Sequence, residues 1–254
     1  MNAMMLFLLA FAFSDAASGP SVQNVLALTA KSVQHFWDQF TAVTCTESVT
    51  QKKLGKEGKV QYERGTSYDY LILMELKGDD LSVEESRLLQ KERGKTENLP
   101  LLLTSGFSTL QLIFHPYYQA CFEYKRLEDE VVNGRRLMRI EFRHVPGARS
   151  TSAARLRGQD YPLDLTGTAW IDPESGVILK ITADLVAPMD DLNLRSLRAE
   201  VRYAPQQFTG ENTAEWLPAE ASIDVETARQ HWRNIHQFSD YRRFSVKTET
   251  SVGK

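Results

Sequence analysis

From residue 21 to about 40 the apolar side chains Val22, Val25, Leu26, Leu28, Val33, Phe36, Trp37 and Phe40 recur every three or four positions, the spacing of one helix face. Pro20 and Ser21 supply a start signal, and the β-branched run over 41–50 supplies the stop. There the period falls to two. Val43, Cys45 and Val49 take one side and Thr44, Thr46, Ser48 and Thr50 the other, which predicts a half-buried strand.

Period two then dominates the chain. After the turn at 55–58 the pattern predicts strands over 59–64 and 68–76, the second apolar on both faces (Tyr68, Tyr70, Leu71, Ile72, Leu73, Met74, Leu76) and therefore central. Residues 81–92 are read as strand against a helical alternative. Thr104-Ser105-Gly106 followed by Phe107, Leu110, Ile113 and Phe114 predicts a short capped helix stopped by His115-Pro116. Strands over 117–127 and 136–145 flank Asn133-Gly134, a pair that tolerates the positive φ of a tight hairpin. Residues 146–162 carry no period and read as a loop excursion or lid. A second hairpin joins 165–171 to 177–185 through Asp172-Pro173-Glu174-Ser175-Gly176. Clean alternation over 197–203 and 219–226, and a closing segment from Trp232 to about Thr250, bring the expectation to nine to eleven antiparallel strands after one helix.

This is an α+β chain, mainly antiparallel β, read as one domain over residues 19–254. A sheet of that width twists until it curls. Its apolar face then needs a filler, and the two predicted helices leave part of it uncovered. The remainder predicts a concave cavity for a lipid-like or amphiphilic ligand, walled by Tyr70, Ile72, Phe107, Leu110, Phe122, Met138, Ile140, Phe142 and Trp170.

Residues 1–18, with the apolar run 4–13 before Ala16, Ala17 and Ser18, read as a secretory signal peptide, although Met1-Asn2-Ala3 holds no basic residue. Ten apolar residues span only about 15 Å as a helix, half a bilayer core. No transmembrane segment is therefore expected in the mature chain, and a buried N-terminal helix is the rival reading. Export places Cys45 and Cys121 in an oxidising space, where two cysteines pair more often than not. Such a bridge would close a loop of about 76 residues; two small buried thiols are the alternative.

Composition narrows the chemistry. With 30 Lys and Arg against 33 Asp and Glu, the chain has no basic field for nucleic acid. His35, His115, His144, His231 and His236 are scattered and no CxxC or HxxxH occurs, so neither metal nor cofactor is expected. No GxSxG, HExxH, GxxxxGK[ST] or GxGxxG is present. Arg149, Arg155 and Arg157 make the 146–162 excursion basic enough to meet an anionic headgroup or a partner.

The stretch Gly167-Thr168-Ala169-Trp170-Ile171-Asp172-Pro173-Glu174-Ser175-Gly176-Val177-Ile178-Leu179-Lys180-Ile181 resembles the G-x-a-W-I-D-p-x-x-g-x-i-x-k hairpin of the LolA-like superfamily, which includes lipoprotein carriers and RseB-type sensors. The ending Phe238-Ser239-Asp240-Tyr241-Arg242-Arg243-Phe244 is similar to that of secreted bacterial proteins of this type. The resemblance covers mainly residues 115–250 and implies an open β half-barrel wrapped over helices, in the periplasm or outside the cell. The 146–162 excursion and the two cysteines depart from the lipoprotein carriers. Two functions follow as expectations: a non-catalytic binder of an amphiphile in the concave face, or a scaffold or sensor that binds another envelope protein through the Arg-rich loop and an exposed strand edge. A hydrolase with a dispersed catalytic set is the third reading.

Overall fold

The computed structural model describes residues 20–77, 80–94, 106–156 and 159–243. Residues 1–18 and the end of the chain beyond Arg243, including the strand expected to reach Thr250, lie outside them.

Helix α1, Val22–Phe40, forms where the apolar spacing predicts it. The Ser21 Oγ accepts the Asn24 N–H at 3.2 Å, satisfying one of the free amides of the first turn. Its buried face is Val25, Thr29, Ala30, Val33, Phe36, Trp37 and Phe40. The strands are β1 (Val43–Leu54), β2 (Val60–Lys77), β3 (Asp80–Gly94), β4 (Phe122–Arg126), β5 (Glu130–Val132), β6 (Arg135–His144), β7 (Ala153–Leu156), β8 (Gln159–Pro162), β9 (Leu165–Ile171), β10 (Ile178–Leu185), β11 (Leu194–Gln207), β12 (Ala214–Thr227) and β13 (His231–Arg243).

Eleven of these strands make one open antiparallel sheet, in the order β3-β2-β1-β13-β12-β11-β10-β9-β6-β4, with β5 paired to β6. It is a curved half-barrel. The pairing of β1 with β13 joins the first strand to the last of those described, from Val43 opposite Arg243 to Leu54 opposite His231. Inside the curve lie α1 and a 3₁₀ segment, Phe107–Phe114, whose residues from Ser108 onward are all buried. The central strands alternate cleanly: on β11 Leu197, Ala199, Val201 and Tyr203 face in, and on β12 Ala221, Ile223 and Val225 do the same.

Several expectations change. The two strands predicted over 59–76 are one 18-residue strand, β2, because Gly65-Thr66-Ser67 stays extended against Ser48-Val49-Thr50. Expected to be central, β2 is paired on both sides but lies one place in from the edge. The strand expected over 117–127 begins with a short helix, α2 (Pro116–Gln119). Pro116 presets its first turn, and the His115 Nδ1 accepts the Tyr117 N–H. The excursion 146–162 contains the hairpin β7–β8, a separate two-stranded sheet. Four-residue strands are too short to produce a readable period. The predicted helix before His115 is 3₁₀ and follows Gly106 at φ +80, without a side-chain cap.

Cys45 and Cys121 are free thiols, which corrects the expected disulfide. Cys45 is buried on β1, whereas Cys121 lies between α2 and β4, and six strands separate β1 from β4 in the sheet. The curvature does not bring the two sulfurs together.

Candidate functional site

Seven of the nine predicted wall residues, Tyr70, Ile72, Leu110, Phe122, Met138, Ile140 and Phe142, share one continuous interior cluster, and Phe107 packs half-buried against it. Strand parity explains the gathering. Met138, Ile140 and Phe142 are alternate residues of β6, as Tyr70 and Ile72 are of β2. Aromatic rings meet edge-on inside: Phe142 against Phe114 and Phe122, each at 6.0 Å between centroids.

Trp170 stands apart from the other eight. Ala169 and Ile171 take the inward positions of β9, so Trp170 is on the convex face. There its Nε1 donates to Glu130 at 2.7 Å, and the Lys180 ammonium sits 3.6 Å from the ring centroid.

The interior is filled by protein. The 3₁₀ segment inserts Leu110, Leu112, Ile113 and Phe114 against the sheet. Its carbonyls find donors there: the Tyr124 hydroxyl donates to Ile113 O at 2.6 Å and the Tyr203 hydroxyl to Ser108 O at 3.5 Å. The segment is two short 3₁₀ turns that meet at a kink at Thr109, φ −102 and ψ 16, in keeping with the poorer hydrogen-bond geometry that stops most 3₁₀ runs after three or four residues.

At the mouth of the half-barrel, beside the start of this segment, lies a buried charge network. Glu47 faces in from β1 and is 0% exposed. Arg87 on β3 grips it with two bonds, Nε to Oε2 at 2.5 Å and Nη2 to Oε1 at 2.9 Å. The His236 Nδ1 on β13 is 2.8 Å from Glu47 Oε1. A third Arg87 nitrogen, Nη1, lies 2.7 Å from Glu85 Oε2. Glu85 Oε1 accepts from the Tyr70 hydroxyl at 2.9 Å, the Gly106 N–H at 2.7 Å and the Ser108 hydroxyl at 3.4 Å. Strands β1, β2, β3 and β13 are thus tied to the entrance of the 3₁₀ segment. A cavity of about 10 Å³ between Glu47, Glu85, Arg87, Phe107, Ser108 and His236 is about what one water molecule occupies.

The protonation states follow from these contacts. Burial works against the Glu47 charge, but the bonds from His236 and Arg87 outweigh it and hold the carboxyl below its ordinary value. Burial, reinforced by the charge on Glu85, pushes the Tyr70 phenol well above its ordinary value and keeps it a donor. Burial first, and Glu47 next, push the Cys45 thiol up to about 12.

None of Glu47, Glu85, Arg87, Ser108 or His236 stands out as a motif. The signal is parity: Glu47 falls on the same side of β1 as Val43, Cys45 and Val49, and His236 on the same side of β13 as Trp232 and Phe238. Of the remaining basic candidates, Arg149 lies over the Tyr117 ring at 4.3 Å, and Arg157 lies outside the described residues. His144 is buried with Nδ1 2.8 Å from Asp164 and Nε2 3.2 Å from Arg149 O, which ties the excursion to β6. Among the described residues no three His, Cys, Asp or Glu side chains are placed to share a metal ion, and no helix is long and apolar enough to cross a membrane.

No protein-family profile and no curated protein matches the sequence at a significant level. Among solved structures, a DUF1329 family protein from Desulfovibrio piger is 12% identical, with 91% of this chain and 96% of that one covered and a TM-score of 0.46. A putative outer membrane lipoprotein-sorting protein domain from Vibrio parahaemolyticus is 13% identical over 88% of this chain and 94% of its own, at a TM-score of 0.42. The Mycobacterium tuberculosis lipoprotein LppX is 12% identical over 90% and 100%, at 0.26. The open antiparallel half-barrel over helices found here is the architecture that the LolA-like resemblance implied.

Proposed function

We propose that the protein is an exported, non-catalytic, single-domain binding protein that holds an amphiphile in the half-barrel interior, in the place the 3₁₀ segment fills here. The observation that carries this reading is the mismatch between wall and filler. The wall is a continuous apolar and aromatic surface on regular strands, and what covers it beside α1 is a kinked 3₁₀ segment. Such a filler can be exchanged for another apolar body of equal worth.

The energies match an acyl chain. Burial of Leu110, Leu112, Ile113 and Phe114 is worth about 1.5–3 kcal/mol each, so displacing them costs roughly 6–12 kcal/mol. At about 0.8 kcal/mol per methylene, a chain of roughly 8–15 methylenes offsets that cost. Native mass spectrometry of mature protein from an exporting host, before and after incubation with fatty acids and alcohols of graded length, tests the reading. Bound adducts are expected for chains of about 14–18 carbons and none for chains below about 8. A mass that stays unliganded with every chain length overturns it.

A second reading, binding of another envelope protein, is favoured by one observation. Strand β3 is the edge of the sheet and carries Leu88 and Leu89, 69% and 54% exposed. An edge with two exposed leucines and, among the described residues, no further strand beside it offers backbone hydrogen bonds to an added strand. Leu88→Lys is expected to abolish capture of such a partner and to leave amphiphile binding intact.

A further inference from the structure

We propose that the buried Glu85 carboxylate is the receptor for a primary ammonium headgroup on the bound amphiphile, a place taken in this structure by the donors that open the 3₁₀ segment. The inference rests on the binding reading above and adds the headgroup class.

Glu85 is a built acceptor. Its side chain is 7% exposed, and among the described residues Oε2 has no aligned hydrogen bond: the Arg87 Nη1 at 2.7 Å is a charge contact only. Of the donors on Oε1, the Gly106 N–H and the Ser108 hydroxyl belong to the segment that a ligand would displace, and only Tyr70 belongs to the sheet. Once the segment withdraws, a buried carboxylate loses those donors. Leaving it so is costly, and a ligand that brings N–H groups restores the bonds.

The charge balance selects the sign of the headgroup. Glu47 and Glu85, two carboxylates, face the single guanidinium of Arg87. The Arg87 guanidinium is turned toward the two carboxylates, with Nε and Nη2 bonded to Glu47 and Nη1 facing Glu85. An incoming carboxylate or phosphate would therefore meet two carboxylates at close range. An ammonium would bring a second positive group to the two carboxylates. It would also lie near the Phe238 ring, which lines the small cavity together with Glu85, and aromatic faces favour cations.

The test uses the full mature chain and three probes of equal length, hexadecylamine, hexadecanol and hexadecanoate, each below its micellar concentration, with Kd read by competition in native mass spectrometry. The amine is expected to bind about 10-fold or more tighter than the carboxylate, with the alcohol between them. In Glu85→Gln the preference for amine over alcohol is expected to fall to about 3-fold or less. The wild-type comparison needs no variant, so a Glu85→Gln protein that fails to fold does not shield the proposal. Equal binding of all three by the wild type overturns the headgroup assignment and leaves the amphiphile reading standing. Binding of none overturns both.

Discussion

At position 47 a carboxylate stands where the alternation of β1 calls for an apolar side chain, and the structure meets the cost with Arg87 and His236. Breaking a buried pair by removing one member costs about 3–5 kcal/mol. Glu47→Ala is therefore expected to lose roughly that much at pH 7, measured by urea unfolding. Burial opposes the Glu47 charge but its partners prevail, so its folded pKa lies below the ordinary 4.5. The unfolded chain consequently takes up the proton first as pH falls. The contribution of Glu47 is complete above about pH 4.5 and disappears as pH drops through the folded value. The wild type should lose stability over that range more steeply than Glu47→Ala; parallel curves would contradict the network. Glu47 was legible only as a parity position. Its partners come from β3 and β13, 40 and 189 residues away along the chain, and nothing local in the sequence announces them.

Elements were most legible where one periodicity ran long enough. Helix α1, the β9–β10 hairpin and the alternating stretches of β11 and β12 fall where the pattern places them. Helix α2, the β7–β8 pair and the 3₁₀ run are four to eight residues long, and a period needs more turns than that to be read. Trp170 illustrates a different failure. Aromatic character suggested an inward wall, but the alternation of β9 gives the inside to Ala169 and Ile171, and Lys180 with Glu130 makes the convex site suitable for an indole. The same strand contains the tightest backbone approach in its neighbourhood. A Cβ on Gly167 would lie 1.9 Å from Thr182 O and 2.8 Å from the Phe142 ring. Gly167→Ala is expected to destabilise by about 1–3 kcal/mol by forcing β9 away from β10 and β6. An unchanged midpoint in chemical denaturation would show that the three strands are not so closely set.

On the scale of the whole molecule, the curl of the sheet was predictable from strand number and twist, and its order was not. The seam between β1 and β13 joins residues 177 to 200 apart, from Leu54 with His231 to Val43 with Arg243, and is fixed only when both strands are in place. The expected empty concavity proved to be filled, because the 3₁₀ segment is more deeply inserted than a capped surface helix would be. That filler is what the proposed function turns on. If the segment and an acyl chain compete for one wall, occupancy of one must expose the other while the sheet stays intact. Hydrogen exchange read by mass spectrometry, with and without a saturating long-chain amphiphile, measures this directly. The account predicts that amides of residues 107–114 lose protection on loading while those of 197–203 and 219–225 do not change. Loading that leaves 107–114 as protected as before, or that deprotects sheet and segment alike, would contradict it.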